Sequence, residues 1–371
     1  MSGIPPVLDP ASCRSRQETL RDYLAKSDLG GAVFFNRHYV YSLSGYWHEQ
    51  PLTPTALLVE TEGPVSLVTH VEEPIAPAAD EVIAYVPNHL FTLKPNLSGC
   101  IAERLNPLLP KLKAIGTDEQ TPTAMLQAIE CRDVTEDFQY LRRYKYTDEV
   151  AALEFTIQCA ESAYASALQL IEPEIEEVEL MAAMHEEATF SAGEVLSGWG
   201  QDFQCGVPGG FAIRGKKTEA GELYILDVGV GVRGYRSDLC RTFAVDGNPT
   251  DEQGAAHARV VEVMVAGEKY LKPGQSCREM FDFVHEELEG WKGYSFLHHA
   301  GHGIGLDAHE VPRINPAWED TFAEGDVVAF EPGLYGESLR GGIRLENNYL
   351  ITETGFRQLS HFPLDLTLTK T

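Results

Sequence analysis

LDVGVGVRGYRSDL, residues 226–239, holds two aspartates, Asp227 and Asp238, around a glycine-rich centre, and an apolar run, LYIL, leads into the first of them. Both flanks are strand-like and GVRG is a turn signal, so the stretch reads as an antiparallel hairpin centred between Val232 and Arg233. In that register Asp227 faces Asp238 directly. Like charges opposed on a ladder destabilise it unless a cation lies between them.

The pattern recurs. VVAFEPGLYGESLRGGIRLENNYLI, residues 327–351, carries an apolar strand reaching Glu331, a glycine-rich turn and a second strand with Glu346. A hairpin centred between Ser338 and Leu339 sets Glu331 opposite Glu346. Between the two hairpins lies HHAGHGIGLDAHE, with His298, His302 and His309, and the glycines around His302 let the backbone bring an imidazole close to a site. One acidic pair alone is more often turn chemistry or a solvated face. Two pairs at the ends of apolar strands, with a His-Gly segment between, make an oxygen-rich set able to hold two divalent ions such as Mn²⁺, Co²⁺ or Zn²⁺.

Composition bounds the rest. A chain of 371 residues with 43% hydrophobic content can bury a sizeable core and reads as two domains. A formal net charge of −27 argues against nucleic acid and anionic membrane surfaces. The seven cysteines are scattered and without CxxC spacing, which suits reduced thiols in a cytoplasmic protein. The N-terminal MSGIPPVLDPASCRSRQ lacks the charged start and apolar core of a signal peptide, and no apolar run approaches the ~20 residues of a membrane span.

The first part reads as an α/β domain: a helix from about Arg14 to Lys26, then GGAVFFN, TALLVET and PVSLVTH as strands. Val150, Leu153, Ile157, Ala160, Tyr164, Ala167 and Leu168 then recur at helical spacing. The boundary is expected near Tyr140 to Thr147, giving domains 1–143 and 144–371.

The segments LDVG, SDLCRTF, GHGIGLDAHE, FEPGLY and RLEN resemble the Xaa-Pro peptidase branch of the pita-bread metallohydrolases. RQETLRDYL and SLSGY resemble the creatinase/prolidase-type N-terminal domain, so the likeness covers nearly the whole chain. It implies a mixed α/β chain in which a creatinase/prolidase-like domain precedes a pseudo-symmetric pita-bread catalytic domain, assembled as a homodimer. It also implies that Asp227, Asp238, His302, Glu331 and Glu346 are ligands of two divalent ions, Mn²⁺ first, with Co²⁺, Zn²⁺ or Fe²⁺ as alternatives. The activity implied is metal-assisted hydrolysis of Xaa-Pro dipeptides or short peptides. Glu331 would shuttle the proton, and His298 and His309 would contact substrate. Arg344, two before Glu346 and on the same strand face, would orient a carboxylate or the substrate terminus.

Two departures from the resembled pattern stand out. The peptidases carry a further histidine at or beside the position of Gly210, in QCGVPGGFAIRG, whereas no histidine lies between His185 and His257 here. Cys240 stands where threonine is usual. The first departure favours a second reading, a non-peptidase C–N hydrolase or lyase acting on a small molecule, creatinase- or ectoine-hydrolase-like. A third reading, a catalytically silent binding module, is disfavoured by the complete ligand set. The GVPGGF loop, residues 206–211, is expected to be flexible enough to bring Asp202 or Gln204 into the missing histidine's place, and the loop Tyr46–Pro54 is a candidate determinant of substrate length.

Overall fold

The computed structural model describes residues 4–48, 53–74, 78–87, 96–127 and 130–367. Part of the Tyr46–Pro54 loop, residues 49–52, lies outside them. The chain divides into two compact units, residues 7–142 and the residues from Arg143 onward together with those before Val7.

The smaller unit contains α1 (Pro10–Lys26), β1 (Gly31–Phe34), α2 (Arg37–Ser44), β2 (Ala56–Glu60), β3 (Val65–Thr69), β4 (Glu81–Ala84), α3 (Leu97–Leu105), β5 (Ala114–Thr117), β6 (Glu130–Asp133) and α4 (Thr135–Leu141). Its six-stranded mixed sheet runs β4-β3-β2-β1-β5-β6. Every residue of β1, β2 and β3 is buried, as expected where helices cover a sheet on both faces. Asp9 and Asn36 cap α1 and α2, each accepting a backbone N–H in the first turn with its side-chain oxygen.

The larger unit begins with α5 (Thr147–Leu170) and α6 (Glu177–Ala192), followed by β7 (Gly198–Asp202), β8 (Leu223–Val232), β9 (Tyr235–Arg236) and β10 (Leu239–Ala244). Then come α7 (Asp251–Gly267), α8 (Cys277–Leu288), β11 (Gly301–Gly303), β12 (Glu310–Ile314), β13 (Val327–Phe330), β14 (Gly333–Tyr335), β15 (Gly342–Arg344), β16 (Asn347–Ile351) and β17 (Phe356–Gln358). Two halves repeat one plan, a helix pair and then strands. Ile171, Glu177, Leu180, Met184 and Ala188 are buried in the first, and Leu271, Cys277, Met280, Val284 and Leu288 in the second, one hundred positions later. This is the pseudo-symmetry that the resemblance implies. Among the described residues no helix is long and apolar enough to cross a membrane.

The first half's sheet runs β10-β8-β7 and the second's runs β12-β11-β13-β16-β17. Tyr164 of α5 is buried against β8, its hydroxyl 2.9 Å from the Leu226 carbonyl and 2.6 Å from that of Leu239. In the second half Val260, Met264, Met280 and Val284 pack with Val328, Phe330 and Ile343, and burying each such side chain contributes about 1.5–3 kcal/mol. The halves join where Glu346 N–H donates to the Cys240 carbonyl at 3.0 Å. Buried Arg241 reinforces the seam by donating to the Glu346 carbonyl and to Asn347 Oδ1, at 2.5 and 2.9 Å.

Lys145 and Glu310 form a buried ion pair at 2.8 Å, with side chains 2% and 0% exposed. The other Glu310 oxygen accepts the Asp307 N–H at 3.0 Å, which fixes the segment carrying His309. Lys145→Met is expected to cost about 3–5 kcal/mol, because it strands a buried carboxylate. The midpoint of urea unfolding measures this, and changing Glu310 to Gln in the same chain should recover part of the loss.

Candidate metal centre

The turn joining β8 to β9 consists of Arg233 and Gly234, both with positive φ, 49° and 91°. This is the primed geometry that matches strand twist, and Arg233 tolerates it without being a glycine. It shifts the hairpin's centre by one residue from the expected point between Val232 and Arg233. Val232 pairs with Tyr235, and further along the same register Asp227 pairs with Cys240. The expectation that Asp227 directly faces Asp238 is therefore corrected: Asp238 stands diagonally, beside Gly229, where an added Cβ would lie 3.8 Å from Asp238 Oδ1. The two carboxylates still converge, because residues on one face at diagonal positions remain within side-chain reach.

In the second hairpin, Phe330 pairs with Asn347 and Gly333 with Arg344. Both ladders belong to one register, which sets Glu331 across from Glu346 at the break made by Pro332, a residue with no N–H to donate. The seam between the halves then brings the pairs together. One carboxylate oxygen each of Asp227, Asp238 and Glu346 lies within 4.8 Å of the other two, and all three residues are buried.

Such a cluster resists ionisation. Burial, opposed by Arg344, pushes Asp227 up to about 6. Burial and then Asp227 raise Asp238 well above the carboxylate range, and burial and then Asp238 do the same to Glu346. Glu331 differs: burial raises it, but His299, His298 and His302 outweigh that and hold it at about 2. Asp227 Oδ1 and Glu346 Oε2 are buried with no hydrogen-bond partner among the described residues. Unsatisfied buried carboxylate oxygens are costly, and a cation answers them.

His302 adds a nitrogen to the set. Its Nδ1 lies 3.0 Å from the Gly303 carbonyl, so that nitrogen carries the proton and Nε2 is bare. The bare Nε2 faces Glu331 Oε1 at 3.5 Å and Asp238 Oδ2 at 3.8 Å, a lone pair aimed at carboxylates. Burial lowers His302 to about 4, keeping it neutral. These atoms suit a hard or borderline divalent ion. His309, exposed at the rim, stacks on His302 with ring centroids 3.8 Å apart.

His298 and Arg344 meet at Tyr335. Arg344 Nε donates to the Tyr335 hydroxyl at 2.9 Å, which in turn lies 2.6 Å from His298 Nε2. His298 Nδ1 is 2.7 Å from the His299 carbonyl and so carries the proton. Tyr335 therefore donates to Nε2, and both nitrogens of His298 are held by the protein. Arg344 also reaches Asp227 Oδ2 at 2.6 Å, so it neutralises one carboxylate of the cluster.

Three features were not read from the sequence. Asp202 ends β7 directly opposite Asp227, binds Arg344 at 2.8 Å and accepts the Gly210 N–H, also at 2.8 Å. Glu177 accepts the N–H groups of Cys205 and Ile213, each at 2.8 Å. These two carboxylates clasp the loop expected to be flexible. Gly210, at or beside the missing histidine's position, has φ 138°, a conformation that strains any side chain. The third is His299, whose Nδ1 lies 3.1 Å from Glu331 Oε1. Cys240, opposite Asp227, is a fully buried thiol raised by burial and by Asp227.

Residues 151–353 match the profile of metallopeptidase family M24, and residues 16–142 match the creatinase/prolidase N-terminal domain. The chain is 31% identical over 270 residues to an uncharacterized peptidase of Bacillus subtilis, covering 69% of this chain and 75% of that one. It is 31% identical over 240 residues to the Xaa-Pro dipeptidase of Pyrococcus furiosus, covering 62% and 67% respectively. The solved prolidase from Pyrococcus furiosus superposes with a TM-score of 0.74 at 25% identity over 92% of this chain and 99% of that one. The prolidase from Pyrococcus horikoshii shares the fold, with a TM-score of 0.78 at 23% identity over 95% and 99%.

Proposed function

The chain belongs to metallopeptidase family M24, and from that membership we propose that it is a metal-dependent Xaa-Pro peptidase cleaving dipeptides or short peptides. The observation that carries the metal part is the pair of buried, partnerless oxygens, Asp227 Oδ1 and Glu346 Oε2, inside a carboxylate cluster facing a bare imidazole nitrogen. Asp227, Asp238, His302, Glu331 and Glu346 would hold two divalent ions, Mn²⁺ first, with Co²⁺, Zn²⁺ or Fe²⁺ as alternatives. Ions bound there supply Lewis acidity toward the scissile carbonyl and toward water.

The chain's own groups do the rest. Glu331, ionised at neutral pH, accepts a proton from the attacking water and passes it to the leaving nitrogen as the C–N bond breaks. The Arg344–Tyr335–His298 chain holds its members rigid beside Glu331, so a substrate contact by His298 requires its bond to Tyr335 to open. His309, exposed at the rim, is free to meet substrate. The protein is read as cytoplasmic and as a homodimer, and light scattering checks the latter. The decisive assay offers Mn²⁺-loaded protein Xaa-Pro dipeptides, longer Xaa-Pro peptides and small N-substituted amides. Cleavage confined to the last class would replace this reading with the small-molecule hydrolase, which is favoured by a backbone at Gly210 that would strain a histidine and by its N–H being held by Asp202.

Arg344 divides its charge between Asp202 and Asp227. Asp202→Asn concentrates that charge on Asp227 and weakens it as a donor. Metal affinity or turnover is expected to fall by about ten- to a hundredfold, the range for groups that orient a ligand, and calorimetric metal titration measures it.

A further inference from the structure

We propose that His299 is a sixth protein ligand of the centre, supplying a second imidazole to the ion shared with His302 and Glu331. The proposal rests on the metallopeptidase reading and names a ligand outside the five already given. One ligand atom each of His299, His302 and Glu331 lies within 4.8 Å of the other two. Donors bonded to one ion at about 2.0–2.2 Å stand roughly 3.0–4.4 Å apart. His299 Nδ1 to Glu331 Oε1, at 3.1 Å, and His302 Nε2 to the same oxygen, at 3.5 Å, both fall within that range.

The state of His299 Nδ1 is the second observation. The atom is buried and makes no hydrogen bond among the described residues, although a carboxylate oxygen is 3.1 Å away. A ring N–H directed at that oxygen would form a charge-assisted bond, and the geometry of one is not met. The nitrogen and the carboxylate oxygen therefore stand at the separation of two donors on one ion, without the alignment of a bond between them. His302 Nε2 presents the same picture to the same oxygen. The ring of His299 stands nearly perpendicular to that of His302, at 74° with centroids 5.3 Å apart, so the two imidazoles approach Glu331 from different directions.

A second imidazole changes which metal the position prefers. Carboxylate-rich sets suit Mn²⁺, whereas imidazoles favour Zn²⁺ and Fe²⁺. His299 therefore shifts one of the two positions toward Zn²⁺ relative to a site with one histidine.

The test titrates metal-free wild type, His299→Ala, His299→Asn and Asp238→Asn with Zn²⁺ and with Mn²⁺ by calorimetry, and records visible absorption of the Co²⁺-loaded proteins. The Asn variant keeps a hydrogen-bond donor but offers no imidazole nitrogen. Both His299 variants should lose at least about tenfold in Zn²⁺ affinity, lose less for Mn²⁺, and show altered Co²⁺ bands, with metal-free melting curves like wild type. Wild-type isotherms and bands in His299→Ala, with Asp238→Asn impaired, would overturn the sixth ligand and leave the metallopeptidase reading standing. Wild-type behaviour of His299→Asn alone would make His299 a hydrogen-bond donor and also overturn it. Absence of metal uptake by wild type would overturn both.

Discussion

Glu331→Gln is expected to lower turnover on an Xaa-Pro dipeptide by about 10²–10⁴-fold while the protein still takes up metal. The amide keeps the size of the side chain and one oxygen able to coordinate, but it cannot accept a proton from water. Glu331 is singled out within the cluster by its surroundings: Asp227, Asp238 and Glu346 are all raised, whereas Glu331 is held at about 2. It is therefore the carboxylate of the cluster held most firmly ionised before any ion binds. Steady-state kinetics with parallel metal analysis measure the effect. A loss in kcat with KM little changed marks a group acting in the transition state. Near-normal turnover would remove Glu331 from the proton's path, and loss of both metals would make it a ligand first.

The residues that converge here were legible from spacing because each hairpin places its acids at the end of an apolar strand, a pattern of period two that survives a change of register. The register itself was legible only in the second hairpin. In the first, Arg233 adopts positive φ, a conformation that side-chain chemistry discourages and a reader assigns to glycine. That single residue moves Asp238 from opposite Asp227 to its diagonal. In the sequence Asp202 stands out only as a neighbour of the 206–211 loop. Its position opposite Asp227 comes from β7 pairing with β8, and no local pattern announces which residue of a distant strand lands there. Glu177 escaped for a similar reason: a carboxylate in the first turn of a helix reads as a partner of the helix dipole, yet it binds a loop 28 residues on. His299 did carry a local signal, the doublet with His298. The roles of His298 and His309 come from the family resemblance, which names none for the residue between His298 and His302.

Removing the metals should lower the melting temperature, and the gap between loaded and stripped protein should narrow as pH falls from about 7 to 5. At a free metal concentration a thousandfold above Kd, binding to the native state alone contributes about 4 kcal/mol. The sign of the pH effect follows from which groups compete with metal. Asp227, raised to about 6 in the native state, binds a proton more tightly folded than unfolded. In stripped protein it, with the raised Asp238 and Glu346, therefore adds stability as pH falls from the native values toward the ordinary carboxylate range. His298 and His302, held near 4 by burial, act oppositely and cost stability as pH falls from about 6.5 toward 4. In stripped protein the two sets of groups thus oppose each other across this window, with His299, raised by Glu331, on the side of the carboxylates. In loaded protein the same carboxylates must lose their protons to coordinate, so each proton displaced weakens metal binding by about 1.4 kcal/mol per pH unit. Melting curves with excess Mn²⁺ and with excess chelator, recorded at pH 7.5, 6.5 and 5.5, measure the gap directly. A gap that stayed constant across the three would mean that the ions bind without displacing protons from Asp227, Asp238 or Glu346. No gap at pH 7.5, with metal uptake verified, would mean that the carboxylate cluster is not where the ions reside.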